Sequence, residues 1–107
     1  MSSEYAMIIS TFPDRETAKK AAKLLIDKRL AACVQMFPIE SVYFWKGDIC
    51  EDSEIALFIK SRAALFADIA DTIRELHPYE VPEIIQLSIA DGLPEYLGWI
   101  GGCTEQK

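Results

Sequence analysis

Apolar and polar residues change rhythm repeatedly along this chain, and each change marks an element. Residues 5–11 (YAMIIST) form a short apolar run with β-branched members, bounded by Pro13, which predicts a buried strand. A helix follows, with Pro13 suited to its first turn and Asp14 or a neighbour to its cap. Ala18, Ala21, Ala22 and Leu25 recur on one helical face, while Lys19, Lys20, Lys23 and Asp27 take the other. The alanines keep the apolar face thin, so this helix can lie close on a sheet. An extended stretch over 32–45 then turns at Lys46-Gly47-Asp48 and returns over 49–60. On the return strand Ile55, Leu57 and Ile59 point one way, and Glu54, Ala56, Phe58 and Lys60 the other. A second helix is predicted over 63–76, with Leu65, Ile69, Ile73 and Leu76 on its apolar face. A last main strand (84–90), a loop (91–94) and a short helix beginning at 95, weakened by Gly98, Gly101 and Gly102, complete the chain.

The order is β-α-β, β-α-β and a C-terminal helix. Shifting the chain by fifty residues lays 5–11 on 55–61, so Ala6 meets Ala56 and Ile9 meets Ile59. The predicted fold class is α+β: a ferredoxin-like split β-α-β sandwich with a long hairpin between its second and third strands. With 107 residues there is room for one domain only.

The hairpin bears on assembly. A straight strand over 32–45 spans ~45 Å at ~3.3 Å per residue. A globule of this length has a radius of gyration near ~13 Å, hence a diameter of roughly 34 Å. The hairpin must therefore bend or project, with Pro38 at an edge or a bulge. Its tip carries Val42, Tyr43, Phe44 and Trp45. Bare, these four are an aggregation hazard, so a neighbouring copy is expected to cover them and the chain to be a homo-oligomer.

Half of the residues are hydrophobic, which a packed core requires. The net charge of −6 opposes a nucleic-acid partner. The three cysteines, Cys33, Cys50 and Cys103, are odd in number and have no CxxC spacing; a reducing compartment is expected rather than a disulfide framework. Residues 1–5 have no basic leader-like start, and no apolar run is long enough to span a membrane. The expectation is a cytoplasmic chain with no membrane partner.

The chemistry concentrates around one imidazole. His77, the only histidine, lies in Leu76-His77-Pro78-Tyr79-Glu80-Val81-Pro82-Glu83-Ile84. The two prolines make this a stiff polar connector, the kind of segment that carries binding groups. By position His77 fits a helix-capping role first, and metal ligand or proton carrier are the functional readings beside it. As a ligand it needs a thiolate or carboxylate brought in by the fold or by another subunit. Cys33 is a candidate soft ligand or a small core residue. Glu54, Glu80 and Glu83 are expected to be solvated or in surface pairs. Lys60 could meet an anion or pair with Glu80. Tyr43 and Trp45 alternate on one hairpin face, as interface packing or as a wall for a ligand. No GxGxxG, P-loop, nucleophile elbow or HExxH is present.

Four segments in order carry a family resemblance: Lys28-Arg29-Leu30-Ala31-Ala32-Cys33-Val34, Ser41-Val42-Tyr43-Phe44-Trp45-Lys46-Gly47, the His77–Ile84 run, and Tyr96-Leu97-Gly98-Trp99. With them the chain resembles the CutA family of divalent-cation tolerance proteins over nearly its whole length. The resemblance implies a PII-like homotrimer in the cytoplasm, linked to tolerance of copper and other divalent metals, with no catalytic activity to carry over. Copper binding in some members is attributed to a first-strand cysteine and a histidine pair before the proline. Here those positions hold Ser10, Leu76 and His77, which leaves His77 as the metal candidate. A hydroxyl and one imidazole hold copper less well than a thiolate and two imidazoles. The expected function is thus a non-catalytic trimer of metal tolerance that binds divalent cations weakly or indirectly, with no essential cofactor. The alternative is a PII-like sensor or scaffold, with Tyr43, Trp45, Lys60 and Glu80 lining a pocket between subunits for a small ligand or protein partner. An enzyme using His77 and Glu80 ranks last.

Overall fold

In the computed structural model, which describes residues 4–106, the first strand is one of two inner strands of a four-stranded sheet. β1 (Tyr5–Phe12) pairs on one side with β3 (Asp48–Arg62) and on the other with β4 (Ile84–Ser88). β2 (Cys33–Trp45) pairs with β3 alone, so the sheet order is β2-β3-β1-β4 and every pairing is antiparallel. This is the ferredoxin-like α+β arrangement that the β-α-β repeat predicts. Residues 1–3, which carry most of the leader expectation, lie outside the described residues. Among the described residues no helix is long and apolar enough to cross a membrane.

α1 (Arg15–Asp27) starts at Asp14, whose carboxylate accepts the Thr17 backbone N–H at 2.7 Å. That bond holds the Asp14 carboxyl below its ordinary range. α1 stops at Arg29, which takes a left-handed φ of 58°. The Leu30 N–H then returns to the Leu25 carbonyl at 2.9 Å, and Leu30 is buried. Glycine is the usual residue at such a stop because a Cβ is disfavoured there. Arg29→Gly is expected to stabilise the fold by up to about 1 kcal/mol, read as a higher urea midpoint.

The second helix begins later than its periodicity predicts. Ala63–Leu65 form one 3-10 turn, and α2 spans Phe66–Leu76. Side chains of α1 (Ala18, Ala21, Leu25) and α2 (Ile69, Ile73) pack on Ala6, Ile8, Phe12, Leu57 and Ile59 of one sheet face. Ser10 belongs to the same face, opposite Leu57 and Ile84, with its hydroxyl buried and without a hydrogen-bond partner. A lone buried hydroxyl costs about 1–3 kcal/mol. Ser10→Ala is therefore expected to leave stability unchanged or raise it, a result thermal melting can check.

The other sheet face is covered at one end by α3 (Pro94–Cys103). Arg62 clamps this helix, donating to the Gly101 carbonyl at 2.7 Å and to Thr104 Oγ1 at 3.2 Å, and pairing with Glu4 at 3.2 Å. Beyond α3 the register lines up an apolar band, with Ile85, Ile9 and Phe58 in one row and Leu87 beside Met7. Phe37 extends the band, its ring edge-on to Phe58 at 4.8 Å. Ile85 and Leu87 are about half exposed.

β1 pairs with β3 only from Ile55 onward, so residues 39–54 project as a two-stranded arm. The chain is accordingly elongated, 44 × 28 × 22 Å. Pro38 lies on the edge strand opposite Ile55, and the β2–β3 register runs unbroken through it. The edge position, without a bulge, is enough to accommodate the proline. Lys46 and Gly47 turn the arm with φ of 49° and 85°, the signature of a two-residue type I′ turn that suits strand twist.

Candidate functional site: a groove between the arm and the connector

The four apolar residues at the arm's tip do not share a surface, because strand alternation splits them. Val42 and Phe44, with Ile49 across from Phe44, lie on the outer side and are 69%, 71% and 76% exposed. Tyr43 and Trp45 take the other side and are each 40% exposed, facing the connector that leaves α2. Between arm and connector lies a groove of about 740 Å³ lined by Thr11, Tyr43, Trp45, Glu54, Tyr79 and Glu80, among others. That volume lies in the usual range for small-molecule sites.

Each wall has its own cause. The Tyr43 hydroxyl donates to the Asp52 carboxylate diagonally across the arm. This hydrogen bond, reinforced by burial and by the carboxylate charge, pushes the phenol up to about 12. Asp52→Asn is expected to return Tyr43 toward its ordinary value near 10, as read by ultraviolet titration of phenolate. Since the folded value is the raised one, the associated stability is complete below pH ~10 and is lost as pH rises through about 12. Tyr79 projects from the connector and donates to Glu54 Oε2 at 3.3 Å. Burial first, then the Glu54 charge, raises its phenol as well. Glu54 does not behave as the solvated strand residue expected from its charge. It is 8% exposed, because Tyr79 folds over it.

His77 is what seats the connector. Its backbone N–H donates to the Ile73 carbonyl at 2.9 Å and closes α2. Its side chain turns away from the helix: Nε2 lies 2.6 Å from the Thr11 carbonyl, and Nδ1 accepts the Tyr79 N–H at 3.1 Å. These two bonds require the tautomer with hydrogen on Nε2. The ring lies between Phe12 and Tyr79, with centroids 4.5 and 4.7 Å away. Both nitrogens are thus engaged by backbone. Among the described residues no three His, Cys, Asp or Glu side chains gather as a metal-holding group.

The fold brings Tyr43, Trp45 and Glu80 together and leaves Lys60 elsewhere. Tyr43 pairs with Cys50, and Lys60 lies ten residues farther along β3, about 33 Å at ~3.3 Å per residue. Lys60 instead reaches the Tyr96 hydroxyl at 3.3 Å and stands over that ring. Glu80 pairs not with Lys60 but with Lys46, at 3.9 Å across exposed surface. Cys33 pairs with Lys60 at the far end of the sheet and is half-buried; all three cysteines are free. Sequence reasoning missed Glu54 and Tyr79 as groove residues, and Lys46 as the partner of Glu80. The one available signal was Tyr79 itself, an aromatic held three residues past a helix end between prolines.

Motif order and fold converge with direct comparison. A family model described as CutA1 divalent ion tolerance protein matches residues 6–103. The chain belongs to the CutA1 family. Among curated relatives, the divalent-cation tolerance protein CutA of Thermus thermophilus is 42% identical over 95 residues, covering 88% of this chain and 92% of that protein. Protein CutA of Mus musculus is 45% identical over 96 residues. The match covers 89% of this chain but only 54% of the mouse protein, so this chain spans about half the length of that relative. Among solved structures, the periplasmic divalent cation tolerance protein CutA from Archaeoglobus fulgidus superposes with a TM-score of 0.93 at 40% identity, covering 94% of this chain and 99% of that one. CutA1 from Shewanella sp. SIB1 gives 0.94 at 36% identity, covering 99% and 100%. Divalent-cation tolerance is the description carried by this family model and by the Thermus relative.

Proposed function

We propose that this CutA1-family chain serves divalent-cation tolerance, copper included, as a non-catalytic cytoplasmic homotrimer that binds cations weakly or indirectly. The observation that carries the weak-binding part is His77. Its imidazole is committed to the Thr11 carbonyl and the Tyr79 N–H, so metal ligation at either nitrogen would cost a bond that seats the connector. Support for self-association comes from the apolar band around Ile9, Phe58, Ile85 and Leu87 and from the outer arm face of Val42, Phe44 and Ile49. Three free thiols favour a reducing compartment. Isothermal titration with copper(II) tests the metal part: wild type and His77→Gln are expected to bind alike and weakly. Tight binding in wild type that His77→Gln abolishes would falsify it. Sedimentation of a stable monomer at micromolar concentration would remove the trimer.

A second reading is favoured by the groove. A PII-like sensor or scaffold would take a small ligand or a protein partner there, at the boundary where a neighbouring subunit arrives. Native mass spectrometry of protein released gently from cells is expected to show added mass on the oligomer. A clean apo assembly under conditions that retain known weak ligands would count against this reading.

A further inference from the structure

The groove has a chemical polarity that its shape alone does not disclose. Glu40, Glu54, Glu80 and Glu83 bring four carboxyl groups to its lining, which includes no lysine, arginine or histidine. Three aromatic rings, Tyr43, Trp45 and Tyr79, stand among them. One carboxyl, that of Glu54, is almost wholly buried and accepts the Tyr79 hydroxyl at Oε2. Aromatic faces beside carboxylates attract cations that carry apolar bulk: the ring quadrupole takes the charge, and the ring surface takes the alkyl groups. A strongly hydrated inorganic ion gains nothing from the rings.

The molecule also supplies its own example of the pairing. Lys46, from the turn, brings its ammonium to 5.5 Å from the Trp45 ring centre and to 3.9 Å from Glu80. Lys46 is not a wall of the groove but a tethered alkylammonium resting at its mouth. Its contacts are largely exposed and therefore weak, so a free ligand with similar groups could displace it. Both groove tyrosines register the same negative surroundings. Asp52 and Glu54 each help to keep a phenol protonated.

We infer that the groove between the arm and the connector binds organic cations of the alkyl polyamine class, with the methylene chain along Tyr43, Trp45 and Tyr79 and the ammonium groups on Glu54 and Glu80. Four carboxyl groups spread along one open cleft match several linked charges better than a single one. The inference deepens the ligand-pocket reading and rests on it.

Titration calorimetry of the full chain in its native oligomeric state, at low ionic strength, tests it with spermidine, magnesium and citrate as probes. Spermidine is expected to bind. Trp45→Leu is expected to weaken it about fivefold or more, as loss of a cation–π contact does, and Glu54→Gln to weaken it further. Lys46→Met is expected to strengthen it by removing the internal competitor, while Lys23→Met on the exposed face of α1, with the same change in net charge, does not. Sedimentation and circular dichroism on each variant identify any loss that merely reports unfolding, and Lys46→Met, at an exposed turn, keeps the test decisive in that event. Spermidine binding that ignores Trp45→Leu, an equal gain in Lys23→Met, or magnesium binding with the same dependence on Trp45 overturns the inference. Citrate binding that Trp45→Leu weakens, without spermidine binding, overturns the cation class yet leaves a ligand pocket. No binding of any probe, together with a clean apo assembly from cells, removes both.

Discussion

Phe12→Ala is expected to be the most damaging single change, lowering stability by about 3–5 kcal/mol against a total of roughly 5–15 kcal/mol. Phe12 is fully buried between the sheet and the helix layer, at the end of β1 where the strand is tied by register to Ile55. Its ring is also the floor beneath His77, 4.5 Å away. Truncation therefore opens a cavity and unseats the imidazole that holds the connector. Two readouts separate these losses. Urea unfolding reports the first as a fall in midpoint at unchanged slope. Spermidine affinity reports the second, because Tyr79 loses its stacking partner and Glu54 its cover. A wild-type midpoint would contradict the packing at this position.

The paired change Ile85→Asp and Leu87→Asp is expected to have the largest effect on assembly. Both side chains are half exposed in the subunit, so the fold tolerates carboxylates there. In an assembly built on the apolar band they become desolvated charges without partners, which costs several kcal/mol each. If the proposed trimer is built on this band, sedimentation is expected to move from it to the 12.0 kDa chain, with the far-ultraviolet spectrum retained. Persistence of the trimer would place its interface elsewhere, the outer face of Val42, Phe44 and Ile49 being the next surface to charge.

Local patterning was legible where one period governs a segment. The alanine face of α1, the Asp14 cap and the long β2–β3 register all follow from spacing, and the Lys46-Gly47 turn from its residue types. The 3-10 turn at Ala63–Leu65 was not legible, because an apolar repeat over so few residues does not separate it from an α-helical start. The groove was legible only in part. Alternation predicts that Tyr43 and Trp45 share a side, but their companions depend on how far apart residues lie along the strands. Lys60 looked like a partner for Glu80 in the one-dimensional chain; β3 carries it to the opposite end, and Lys46 takes its place. Glu54 looked like a surface charge because burial of a carboxyl needs a lid, and the lid, Tyr79, comes from 25 residues away. His77 was open between capping and ligation for a similar reason. Its partner on β1 is a backbone carbonyl, which has no side-chain identity to read.

The two-residue turn at Lys46-Gly47 decides more than the direction of the chain. The turn and the register that continues from the sheet body together set the phase in which residues 39–54 present their side chains. Adding one residue to β2 just before Tyr43 would move Tyr43, Phe44 and Trp45 each to the opposite side of that strand. Phe44 would face the acidic cleft, and the Tyr43 hydroxyl and the Trp45 indole would face outward. The turn therefore helps to keep apart the side proposed to face a ligand and the side proposed to face a neighbouring copy. A lineage could alter either surface residue by residue, but an odd-numbered insertion in the arm would scramble both at once.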